Sequence, residues 1–149
     1  ITEDDIELAK AHLLLSDPTH SSGVDGATYS WLLDLDNDIL SELLNACIDS
    51  GGVPTACCIL KFLTLIIHMK LSEAAESAGI IPPSQNGFRE NHRTNNNVFV
   101  LRTVIEETRS NDETLFVAFV DISNAFPSTN RHRLWNKLYD YGMTGRYFD

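Results

Sequence analysis

Leu115 to Val120 is an unbroken apolar run, rich in Val and Phe, that ends in Asp121. Its length and β-branched and aromatic content predict a buried strand. A strand constrains the rest of a fold more than a helix does, because its backbone groups must pair with other segments. A single strand without partners does not make a stable sheet. The carboxylate at its end adds a second demand. Buried and unpaired, it would cost several kcal/mol or shift its pKa upward, so Asp121 must reach water, a cation or a hydrogen-bond donor. Ser123 and Asn124 then turn the chain, and Ala125 and Phe126 restore apolar character.

Charge is distributed unevenly. Residues 1–50 hold eleven Asp or Glu and one basic residue, Lys10; residues 51–149 hold ten of each sign. The acidic first third is a poor footprint for a self-sufficient nucleic-acid binder, which needs a basic face. Cys47, Cys57 and Cys58 lack zinc-site spacing, and adjacent cysteines rarely bridge, so reduced thiols in an intracellular setting, nuclear or cytoplasmic, are expected. The most apolar stretch, Cys57 to Leu71, is short for a membrane span and carries Lys61, His68 and Lys70, which predicts a core helix and no membrane partner.

Helices are predicted at 2–15, capped by Thr2, at 37–50, capped by Asp36 and closed by Gly51 and Gly52, and at 57–78, closed by Gly79. A short helical turn is predicted at 29–33 and an extended piece at 80–83, where each residue before a proline leaves the helical region. Two more helices follow, at 95–109 and at 129–141, the latter capped by Ser128. The absence of an initiator Met and an element cut off at Asp149 lead to the expectation of a piece of a longer chain.

Three blocks carry a family resemblance. Phe119-Val-Asp-Ile-Ser-Asn-Ala-Phe126 resembles the first catalytic-strand motif of reverse transcriptases of non-LTR (LINE-type) retrotransposons: F-V-D, three variable residues, A-F. Gln85, Gly87, Phe88, Arg89, Arg93 and Thr94 match the family's Q-x-G-F-R…R-S/T block; on its own residues the stretch reads as a polar loop leading into a helix capped by Thr94. Ser22 to Tyr29 is similar to the S-x-G-x-D-G loop, with Val24 where proline is usual. The chain departs from the pattern after Pro54. Where the family enters two strands bearing W-K and Y-R-P-I, this chain runs directly into the helix at Cys57. Pro127 also stands where an Asp is usual.

The resemblance implies an RNA-directed DNA polymerase, a magnesium-dependent nucleotidyltransferase of a transposable element, acting on an RNA template and a DNA primer. It implies that Asp121 and the backbone carbonyl of Ile122 bind Mg2+, that Phe126 is the gate beneath the nucleotide sugar, and that Arg89 and Arg93 approach template phosphates. Two ions need more carboxylates than one. Nothing after Asp121 reads aromatic-x-Asp-Asp, so the chain is expected not to polymerise DNA.

The expected fold is α+β and predominantly helical, a partial fingers and palm with one strand at about 115–120. Within 1–149, the expected parts are an acidic helical segment at 1–54, fingers and palm helices with a loop at 57–110, and the catalytic strand with its helix at 114–149. The leading expectation is an internally deleted, C-terminally truncated and inactive reverse transcriptase fragment. The alternative is a non-catalytic helical module binding protein or RNA, self-associating through apolar faces left uncovered. An unrelated α/β enzyme using Asp121 as acid or base ranks third, since no partner residue converges on it.

Overall fold

The computed structural model describes residues 1–15 and 27–145. The Ser22–Gly26 part of the third family block, the stop at Asp17 and Pro18, and the element predicted from Thr144 onward past residue 145 lie outside the described residues. The chain divides into two compact units: residues 1–78 with 142–145, and Gly79–Tyr141.

The first unit is built from four helices, α1 (Glu3–Leu15), α2 (Tyr29–Leu33), α3 (Asn37–Ser50) and α4 (Cys57–Ser77). Helix α1 begins where Thr2 and Asp5 cap each other. The Asp5 N–H donates to Thr2 Oγ1 at 3.3 Å, and the Thr2 N–H donates to Asp5 Oδ2 at 2.8 Å. The pair satisfies two of the donors that a helix start leaves open. Asp5 also meets Lys70 Nζ of α4 at 2.7 Å. Burial pushes the Asp5 carboxyl up, but Lys70 and the Thr2 donors outweigh it and hold the group below the usual carboxylate value. At the end of α3, Gly51 adopts φ 63°, its N–H meeting the Ile48 carbonyl at 3.2 Å, and the Gly52 N–H reaches the Cys47 carbonyl at 3.0 Å. These two bonds are the Schellman closure that the Gly-Gly pair predicts.

Helices α1 and α3 pack together, and α4 packs on α1 and α2. The core is Ile6, Ala9 and Leu13 of α1, Leu32 of α2, Leu40 and Leu44 of α3, and Cys58, Ile59, Phe62, Leu63 and Ile66 of α4. Phe62 is the largest fully buried side chain. Burial of such a ring is worth about 1.5–3 kcal/mol. Lys10 fastens the rim: its Nζ donates to the carbonyls of Leu33 at 3.2 Å and Leu35 at 2.5 Å, beside the end of α2. Ser41 Oγ and Asn45 Nδ2 both donate to the Ile1 carbonyl, tying the approach to α1 onto α3.

The second unit contains α5 (Thr94–Ser110), the single turn α6 (Ala125–Ser128) and α7 (Arg131–Asp140). Its caps correct two expectations. Helix α5 is capped at Arg93, not Thr94: the Arg93 N–H reaches Asn96 Oδ1 at 3.4 Å, and the Asn96 N–H returns to the Arg93 carbonyl at 2.9 Å. Helix α7 is capped by Asn130, not Ser128. Asn130 Oδ1 accepts from the Arg133 N–H at 3.0 Å, while Ser128 Oγ turns back to the Ala125 carbonyl at 3.2 Å and closes α6. The extended piece expected at 80–83 is instead a bend at Ile81 and a turn in which the Gln85 N–H meets the Pro82 carbonyl at 2.9 Å.

The chain is predominantly helical, and the β part of the expected fold fails: the described residues contain no strand. Residues 115–120 have no regular secondary structure, and Phe116, Phe119 and Val120 are 91%, 86% and 89% exposed. The partial fingers and palm are therefore not formed, because a palm is a sheet and no segment here pairs with 115–120. The apolar residues of the later helices stay uncovered as well. Val98, Val100, Val104 and Ile105 of α5, and Leu134 and Trp135 of α7, are all exposed, and no residue of either helix is fully buried.

Candidate functional site

The two family-like blocks both lie in the second unit. In the first block the chain folds back on itself. Arg89 Nη1 donates to the carbonyls of Pro82 at 3.2 Å and Gln85 at 3.1 Å, and Gln85 Nε2 donates to the Gly87 carbonyl at 3.1 Å. Arg89 thus holds its own loop together and is half-buried. Arg93 is exposed and occupies the position that starts α5. Just before Arg89, Phe88 has φ 59°. A bulky L-residue in the left-handed region costs roughly 1–2 kcal/mol, so the loop's hydrogen bonds must hold it there.

In the second block Asp121 and Ile122 lie on the irregular segment that precedes α6, both exposed. Asn124 then adopts φ 53°, ψ 45°, which its short polar side chain tolerates, and the Ser128 N–H returns to the Asn124 carbonyl at 2.9 Å. That reversal projects Phe126 from α6, where its ring meets Phe88 edge-on, with centroids 6.1 Å apart and planes at 82°. The spacing and angle fit an edge-to-face aromatic pair. The structure therefore joins the two blocks through Phe88 and Phe126, leaving Phe126 80% exposed.

Two magnesium ions would need several oxygen ligands converging on one place. Asp121 and the Ile122 carbonyl supply two candidate ligands, and among the described residues no three His, Cys, Asp or Glu side chains gather as a metal centre. The residues present do not fit the two-ion site that the resemblance implies, and the geometry carries no nucleotidyl-transfer step.

The sequence reading missed a groove of about 910 Å³ in the same unit. Phe99, Val100, Leu101 and Val104 of α5 form its apolar wall with Leu115 and Val117, while Asn86, His92 and Asn95 to Asn97 edge it. Part of the signal was present: Leu115 and Val117 belong to the apolar run that the sequence reads as a buried strand. Beside α5 they line the groove without a covering strand among the described residues. In the first unit, Asp34, Asp36 and Asp38 edge a polar depression beside Lys10. No helix among the described residues is long and apolar enough to cross a membrane.

No family model matches the chain, and comparisons with curated proteins and with solved structures return no match.

Proposed function

We propose that the chain derives from a retroelement reverse transcriptase and does not itself polymerise DNA. The observation that carries this reading is the contact of Phe88 with Phe126, which brings the Q-x-G-F-R-like block against the F-V-D…A-F-like block. The inactive half of the reading rests on Asp121, exposed on an unpaired segment without a carboxylate cluster.

The test of activity is primer extension with magnesium, deoxynucleotides, an RNA template and a DNA primer, comparing the chain with Asp121→Asn. The expected result is no extension by either. Extension by the chain that Asp121→Asn abolishes overturns the inactive reading. The test of lineage is to sequence transcripts across the codons for Pro54 to Cys57. Transcripts that restore W-K and Y-R-P-I strands support descent from the polymerase; unrelated sequence spliced in at that point argues against it.

A second reading, a helical module that binds protein or RNA, is favoured by the apolar wall of the groove. Under it, Mg2+-dependent nucleotide binding is absent; under the first, weak binding that depends on Asp121 is allowed.

A further inference from the structure

We propose that residues 115–120 complete a β-strand by pairing antiparallel with the same residues of a second copy of this chain. The proposal rests on the geometry of the second unit and is independent of the lineage reading. The segment Leu-Phe-Val-Ala-Phe-Val contains no charge, no Pro and no Gly, the composition that pairs readily with itself. Among the described residues no strand accompanies it, so the partner has to come from outside the unit.

Register follows from the sequence. With the two-fold axis passing between the Ala118 residues of the two copies, Val117 of one copy stands opposite Phe119 of the other, Phe116 opposite Val120, and Leu115 opposite Asp121. Each Phe then stands opposite a valine, the aromatic and β-branched pairing that stabilises neighbouring strands. Thr114 falls opposite Ile122 and Glu113 opposite Ser123, so no like charges are opposed. Residues 79–141 carry equal numbers of each sign, so two copies meet there without net repulsion.

A two-stranded ribbon alone is marginal in water and needs something to pack on. Here Leu115 and Val117 already line the groove with Phe99, Val100, Leu101 and Val104 of α5. The available area is of the right size. Phe99, Phe116 and Phe119 are 71%, 91% and 86% exposed. At about 150–250 Å² each, the exposed parts of Phe99 and Phe119, on the groove side with Leu115 and Val117, supply about a third to a half of the roughly 800 Å² that a standard interface buries per partner, and Phe116 adds its contact with Val120 on the other face. The contact is isologous, so it closes at two copies.

The experiment is sedimentation equilibrium of the whole chain over a wide concentration range, with infrared spectra in the amide I region. Two variants probe the segment. Ala118→Pro removes the central backbone N–H with little change in apolar area, and Phe116→Lys places charge opposite Val120 of the other copy. Phe88→Ser, 91% exposed but outside the segment, is the control. Positions 116 and 118 lie outside every helix, so far-UV circular dichroism reports whether each variant keeps its helices. The expected result is a dimer with an intermolecular antiparallel-sheet band, a dissociation constant raised about tenfold or more by either segment variant, and an unchanged dimer for Phe88→Ser. A monomer at every concentration, assembly beyond two copies, or a dimer unaffected by Ala118→Pro overturns the proposal.

Discussion

Residues 1–78 and residues 79–141 contrast in a way that charge alone would have predicted backwards. The first stretch holds thirteen acidic residues against three basic ones, yet it encloses the core around Phe62, Leu40 and Ile6. The second is balanced in charge and rich in Val, Phe and Leu, yet none of its residues is fully buried. Acidic residues on the outer faces of α1 and α3 do not hinder packing, because only the inner stripe has to be apolar. An apolar stripe without an opposing element buries nothing. Complementary faces, more than composition, decide which half has a core.

The sharpest test of that contrast is truncation of one ring in each half. Phe62→Ala is expected to cost about 3–5 kcal/mol, read from urea unfolding followed by circular dichroism. Phe116→Ala, measured below the concentration at which copies pair, is expected to stay within about 0.5 kcal/mol. Equal losses would break the comparison. Next in size is the cap of α1: Thr2→Ala is expected to remove about 1 kcal/mol, seen as a lower unfolding midpoint.

A smaller effect concerns pH. The folded Asp5 carboxyl lies below its unfolded value of about 3.9. Its contribution is therefore fully present above that value and is lost as pH falls through the folded pKa. Asp5→Asn is expected to flatten the acid limb of the stability curve and to leave the slope at neutral pH unchanged. Arg89→Ala should have the smallest global effect. It releases the carbonyls of Pro82 and Gln85. Faster amide exchange confined to the 82–89 loop, with the core of the first unit unmoved, is the expected outcome.

The helices of the first unit were legible because their signals are local. The Thr2 cap, Gly51 with Gly52, and the Gly79 stop each act within a few residues. The faces were read less well. In α1 the buried stripe is Ile6, Ala9 and Leu13, while the equally apolar Leu8, Leu14 and Leu15 are exposed, so apolar character alone does not pick the face. In α4 the true stripe is Cys58, Ile59, Phe62, Leu63 and Ile66, a clean 3.6-residue repeat hidden by the many other apolar residues of that helix. The strand at 115–120 failed for a different reason. An apolar run states a preference for pairing, but the hydrogen bonds belong to a partner that the run does not contain. In the candidate site, the turns around Arg89 and Asn124 depend on backbone reversals that no short pattern encodes, so the meeting of Phe88 with Phe126 was invisible before the fold was known.

Lys10 makes the first unit readable by chemistry. Its ammonium group is engaged by the carbonyls of Leu33 and Leu35, and Lys70 is paired with Asp5, while Lys61 stands exposed on α4. An amine-directed reagent therefore meets three lysines in different circumstances. Lys61 reacts at the rate of a free side chain. Lys10 reacts only when the end of α2 lets go of it, so its labelling rate becomes a clock for the opening of the core, running inside the intact chain without any substitution.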